Sequence, residues 1–282
     1  MAGRKNTSLF YPIMNTSIQL YETIKQKVQF LYAKLNLRKR EKTKGRKLAI
    51  PIIDILTLGL FKQKNQIATK RSLFEIFEGW LRCSYKTLVV NLNRFARLAG
   101  VMLALFLSAN QKDDHLIKHT DSTDVPVCSV RKAKRHKTMA LFANWGKTGK
   151  GWFYGLKLHF TADLKRKILA LGFTSGNVDD RSVTVKLNRG LCGIFVADAG
   201  YVSEKLAREF YIEHKRILFV KPRANMKKLA TKFQTWLYGT RMQIELHPRS
   251  LKMFYGLVTS MPRSVNGYFA NYVYSLLAYQ LV

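Results

Sequence analysis

Apolar residues recur at three- and four-residue intervals from Ile18 through Leu20, Tyr21, Ile24, Val28 and Leu31 to Leu35, which predicts an amphipathic helix over about 17–36. The helical period continues between positions 51 and 107. There SLFEIFEGWLRCSYKTLVVNLNRFARL predicts a helix to about Trp80, a turn at 82–84 and a second helix, a pair that resembles a helix-turn-helix only in outline. The stretch AIPIIDILTLGLF at 49–61 is apolar for about 13 residues with Asp54 inside it, short of the roughly 20 that span a bilayer, so it predicts a buried helix and no membrane partner.

After ANQKDDH at 109–115 the period changes from helical to β-like, and the domain boundary is placed there: a helical region over 1–110 and a second domain over 111–282. Strands are expected at 116–121, 152–161 and 168–173, then a helix at about 179–189, a strand at 193–198, a helix at 203–214 and a strand at 217–220. Three strands, then helix, strand, helix, strand is the element order of an RNase H-like mixed sheet with flanking helices. The expected class is therefore α/β, preceded by an all-α N-terminal region.

Charge changes the picture. The 282 residues hold 49 Lys and Arg against 17 Asp and Glu, a formal net charge of +32, while 47% of positions are apolar. That apolar share excludes a disordered basic tail, so the charge lies on a folded surface, and phosphate backbones are the commonest partner for such an excess. The N-terminus carries no apolar core followed by a small-residue cleavage site, and a cytoplasmic location is expected. Cys83, Cys128 and Cys192 are odd in number and never in a C-x-x-C pair, so they are expected to be small core residues. The six histidines show no zinc-ligand spacing, and Ser122 and Ser203 lack a nucleophile elbow.

In a chain so short of acids, two stand at expected strand ends: Asp121, and Asp198 after CGIFVA. Open α/β sheets gather their sites at the carboxyl ends of strands. A third, Glu245 in RMQIE, lies four residues after Arg241 and hence on the same helical face. Phosphodiester chemistry on two Mg²⁺ ions about 4 Å apart needs such oxygen ligands. Each acid alone has a plainer explanation: Asp198 shapes the turn before Gly200, Arg241 with Glu245 is a surface pair, and Asp179 and Asp180 complement a helix dipole. The ordered set in so basic a chain favours catalysis. Arg131, Lys134, Arg135 and Lys137 in RKAKRHK, Lys157, Lys221 and Arg223 in KPRANMKK, and Arg241 are the candidate DNA contacts; LRKREKTKGRK at 37–47 is a further basic loop.

The segments DSTDVPVC, RHK, GWFYGLKLH, GNVDDR, ADAGY, KPRANMK, RMQIE and LKMFYGL, in this order, resemble the catalytic region of DDE-type transposases of the insertion-sequence nine-eight-two family, over about residues 116–280. The resemblance implies an RNase H-like core and Mg²⁺-dependent nicking at the terminal inverted repeats of an insertion element. It implies joining of the freed 3′ hydroxyls to target DNA, with Asp121, Asp198 and Glu245 as the triad that binds two Mg²⁺ ions, Mn²⁺ being able to substitute. Its partner is double-stranded DNA, held by a homodimer or larger assembly at the nucleoid. Three positions depart from the pattern: Asp124 replaces a proline, Ala199 replaces a lysine, and Pro248 is expected to kink the helix of Glu245 unless a new helix starts there. Because residues three apart in a strand face opposite ways, Asp121 is preferred over Asp124. The alternatives are an inactive DNA-binding remnant and a different RNase H-like nuclease.

Overall fold

The computed structural model describes residues 10–40, 47–220, 231–258 and 262–281. The chain divides into two compact units, the first made of Met1–Leu103, Met253–Ser260 and Asn266–Val282, the second of Ala104–Lys252 and Met261–Val265.

The first unit is helical: α1 (Phe10–Lys34), α2 (Ile52–Lys64), α3 (Lys70–Phe77), most of α4 (Tyr85–Lys112) and α9 (Val265–Gln280). Helix α2, the expected buried helix, is apolar on every side and buried on every side, as such a helix must be. Its one acid, Asp54, is kept inside by a hydrogen bond from Tyr21 (3.0 Å) and an ion pair with Lys25 (2.9 Å). The division is not the single cut near residue 110 drawn from the sequence, because α9 joins the N-terminal helices. Gln63 Nε2 donates to Asn271 Oδ1 (2.7 Å) and Asn271 Nδ2 to the Gly256 carbonyl (2.9 Å), while Tyr274 donates to the Leu92 carbonyl (3.1 Å). Helix α4 has the length and apolarity to cross a bilayer; half of that stretch is buried within the protein, with Leu88, Leu92, Ala99 and Met102 almost wholly covered.

The second unit holds β1 (Ile117–Cys128), β2 (Asn144–Thr148), β3 (Gly151–Asp163), β4 (Ile168–Ser175), α5 (Asp180–Leu187), β5 (Ile194–Ala197), α6 (Glu204–His214), β6 (Ile217–Val220), α7 (Lys232–Thr240) and α8 (Met242–Phe254). β1 lies between β3, antiparallel to it, and β5, parallel to it; β6 extends the parallel side, and β4 and β2 both pair with β3 at different stretches. This is the RNase H-like mixed sheet that the element order predicts. One face packs Phe195, Ala197 and Leu218 on α5 and α6; the other packs Ile117 and Val196 on Leu237 of α7.

Two elements differ from the sequence reading. β2 was not expected, since NWGKT lacks alternation, and β1 runs seven residues past Asp121 because β3 pairs with it throughout. The two strands stay in contact only because Gly155 has no side chain: a Cβ there would fall 2.3 Å from the Val125 carbonyl oxygen, beside the register shift at Pro126. Gly155→Ala should therefore destabilise the unit by about 2 kcal/mol. Gly149→Ala, whose Cβ meets nothing within 4 Å, is the control. Thermal melts of the two variants test this, and equal melting temperatures would refute the close approach.

Candidate active site

The sheet itself brings the two aspartates together. Along β1, Ile117 and His119 face α7, the first in the apolar core and the second through a 2.9 Å hydrogen bond between Nε2 and Thr240 Oγ1; Asp121 is next on that side. The parallel register sets Ile117 beside Ile194 and His119 beside Val196, and the offset of 77 residues in each pair also separates Asp121 from Asp198. Asp198 opens the short turn Ala199–Tyr201, but its side chain makes no capping bond there, so its carboxylate is not consumed in shaping the turn.

Helix α7 positions the start of α8, which carries the third acid. Leu237 is sealed in the core, the Tyr238 hydroxyl donates to the Val220 carbonyl at the end of β6 (2.7 Å), and Thr240 meets His119. These pins fix the junction with α8, where Arg241 sits. Its guanidinium stands among all three acids: Nη2 is 3.7 Å from Asp121 Oδ2 and 3.7 Å from Asp198 Oδ2, and Nη1 is 3.2 Å from Glu245 Oε1. Only the contact with Glu245 is a hydrogen bond, and Arg241 Nε is buried with no bonding partner among the described residues, so the cation is central but loosely held. The expected kink at Pro248 does not break the helix. α8 begins at Met242 and carries Pro248 in its interior, with Glu245 in its first turn.

Asp121 is perturbed by its burial. Its Oδ1 accepts the Ser122 backbone N–H (2.8 Å), leaving Oδ2 turned to the centre. Burial raises its pKa from 3.8 to about 6; the Ser122 N–H and Arg241 oppose that rise, while Asp198 and Asp180 add to it. Burial, with Arg241 behind it, lowers His119 to about 4, so that ring is neutral.

Asp180 belongs to this neighbourhood, and the sequence reading missed it. Of the pair at the start of α5, Asp179 caps the helix by accepting the Arg181 N–H (3.0 Å) and binds the Arg181 guanidinium, whereas Asp180 accepts from Ser122 Oγ (2.8 Å) and Lys157 Nζ (3.0 Å). Tyr201, buried beneath, has its pKa raised by burial and by Asp180, Asp121 and Asp198. The available signal was positional: an N-cap turns its carboxylate to its own backbone, so the second acid of such a pair is free to reach a strand.

Other expected residues fall elsewhere. Asp124 pairs with Lys252 of α8 at 3.0 Å, apart from the three acids. Lys157, a candidate DNA contact, is engaged by Asp180 and the Val178 carbonyl (2.9 Å). Arg131, Lys134 and Arg135 are exposed on the short turn Val130–Arg135, and Lys137 is exposed just after it. Lys221 and Arg223 lie outside the described residues, as do 41–46 of the basic loop. Of the cysteines, only Cys128 is the core residue expected; Cys83 is half-buried and Cys192 exposed, because it follows the helix end where the chain turns at the surface.

Among the described residues no group of three or more His, Cys, Asp or Glu stands ready to hold a metal ion. The donor chemistry nevertheless fits a hard divalent cation, since three carboxylates from three elements already gather about one positive charge.

A family model described as a transposase DDE domain matches residues 111–264. No curated protein matches the chain. Among solved structures, the chain is similar to the crystal structure of the Mos1 mariner paired end complex with Mn, at 12% identity over 85% of this chain and 79% of that one, with a TM-score of 0.24.

The Asp121 shift fixes a pH dependence. A carboxyl whose folded pKa lies above its unfolded value holds its proton more tightly in the folded state, so it costs stability as pH rises from about 4 to 6, and the cost is full above that. Asp121→Asn, which mimics the protonated form, should melt a few degrees above the wild type at pH 8 in chelator, with the gap closing near pH 4. Calorimetry at the two pH values checks it; a gap that does not change with pH would contradict the burial of the charge.

Proposed function

The chain belongs to the transposases that carry a DDE domain, and we propose on that footing that it cleaves DNA at the terminal inverted repeats of an insertion element of the nine-eight-two type and joins the freed 3′ ends to target DNA. The observation that carries this reading is the convergence of Asp121, Asp198 and Glu245 on one guanidinium.

In this reading the three carboxylates hold divalent ions, two Mg²⁺ with Mn²⁺ able to substitute. Such ions supply the charge that activates an attacking water or 3′ hydroxyl and offsets the negative charge gathering at phosphorus. The chain's own residues prepare the place. The Ser122 N–H fixes one oxygen of Asp121 and leaves the other turned inward. Arg241 balances part of the acid charge until the substrate arrives, then serves a phosphate oxygen, which its loose contacts permit. The helical unit binds the inverted repeats, while Arg131, Lys134, Arg135 and Lys137, with Lys221 and Arg223, grip the flanking backbone. Two ends must be paired, so the working form is a dimer or larger assembly on double-stranded DNA, at the nucleoid in the cytoplasm. A second reading, an inactive DNA-binding remnant, draws on the same Arg241, lodged where a cation would be needed.

The test incubates labelled element-end DNA with the protein and Mg²⁺ or Mn²⁺. The wild type should nick and transfer strands; Asp121→Asn, Asp198→Asn and Glu245→Gln should each lose roughly a hundredfold or more. Asp124→Asn should keep most activity, since Asp124 pairs with Lys252 instead. Binding should weaken steeply with salt as counterions are released. Binding without cleavage by the wild type would sink the enzyme reading in favour of the remnant, and cleavage without strand transfer would favour a nuclease.

A further inference from the structure

Ser122 bonds in opposite directions along β1, and its side chain also hydrogen-bonds that of Tyr201. Its backbone N–H holds Asp121 Oδ1 at 2.8 Å, and its hydroxyl donates to Asp180 Oδ2 at 2.8 Å. Alternation along β1 explains why: Asp121 faces α7 while Ser122, the next residue, faces α5, whose first turn carries Asp180. Asp180 is anchored in its turn. Its other oxygen, Oδ1, takes Lys157 Nζ at 3.0 Å, and the same ammonium also donates to the Val178 carbonyl at 2.9 Å, just before α5. Lys157 stands on β3, beside β1, and its side chain is only 15% exposed, so the bond is shielded from water. His159, two residues further on β3, is fixed by Thr174 (2.7 Å) with its Nδ1 3.8 Å from Asp180 Oδ1. The start of α5 is thus tied to β3 and, through one serine, to the strand position of Asp121.

We propose that Asp180 is a positioning residue of the acid site: held by Lys157, it fixes Ser122, and Ser122 fixes the carboxylate of Asp121 with one oxygen bound and the other aimed at the centre. This deepens the transposase reading and rests on it. A merely structural role for Asp180, complementing the dipole of α5 and pairing with Lys157, would leave Ser122 incidental. The two differ in what the serine hydroxyl does, because removing it spares every charge and the backbone N–H.

Mn²⁺ binding to the full-length protein, followed by calorimetry and by electron paramagnetic resonance without DNA, separates them. The relevant site is the one that Asp121→Asn abolishes. Supports of this kind alter metal affinity roughly 10- to 100-fold. Asp180→Asn and Ser122→Ala should each weaken that site about tenfold while the thermal melt stays cooperative, and the double variant should lose no more than either single one. Unchanged affinity in Ser122→Ala would overturn the proposal even if Asp180→Asn fails to fold. Losses that multiply in the double variant would also overturn it, since Asp180 would then act by its charge alone. A wild type with no Mn²⁺ site sensitive to Asp121 would instead refute the metal-dependent reading of the acids, and this inference would fall with it.

Discussion

The site depends on one constraint: three carboxylates drawn to one place repel each other and need a positive charge between them. In this chain Arg241 provides it, at 3.7 Å from two aspartates and 3.2 Å from Glu245. The acids cannot disperse, because each is fixed by a different element: β1, the turn after β5, and the first turn of α8. Nor is the guanidinium locked in place, since two of its three acid contacts exceed hydrogen-bond length and its Nε has no partner among the described residues. A constraint met by a movable side chain leaves room for another cation or a phosphate oxygen to take over part of its role.

Packing sets up that geometry before any polar contact forms. The parallel register of β1 and β5 leads Asp121 and Asp198 to the same guanidinium, with Ile117 and Val196 in the apolar core behind them. Leu237 seats α7 on this same apolar surface, and the Tyr238 bond to the Val220 carbonyl stops the helix from sliding along it. Arg241 and Glu245 are therefore aimed by anchors three to eight residues earlier in the chain. The strain of gathering like charges is small beside the burial of such a core, which is how the arrangement survives with Asp121 pushed to about 6.

What could be seen in the sequence follows from periodicity. Strand β6 and helices α5 and α6 lie close to where alternation and capping place them, and the three acids stand out in the sequence because acids are scarce here and strand ends are telling. The parts that stayed hidden are those decided by a partner distant in sequence. β2 exists only because β3 offers it an edge, and β1 continues through Ser122, Thr123 and Asp124 because β3 pairs with each of them. Helix α9, apolar on most sides, had to be buried, but contacts such as Asn271 with Gln63 and Tyr274 with Leu92 reveal in which unit. In the sequence Asp180 reads, like Asp179, as a dipole complement, since two adjacent acids look alike until one of them is seen to cap.

The +32 charge is also not uniform in purpose. Arg216 is fully buried, donating to the carbonyls of Asn188 and Phe210 and to Glu213 while lying 4.1 Å from the centre of the Phe210 ring. Lys118 is buried against Asp114 and the His115 carbonyl, and Lys157 is bound to Asp180. These cations hold the second unit together and contribute little to an outer field, because each is paired or screened by the fold. Asp114, Glu213 and Asp180, three of the 17 acids, are engaged by them. The excess positive charge is thus concentrated where solvent and a polyanion can reach it, on segments such as Val130–Arg135 whose only buried residue is Ala133. Exposed cations on such a segment are what a polyanion meets first, whereas the buried ones are already committed to the fold.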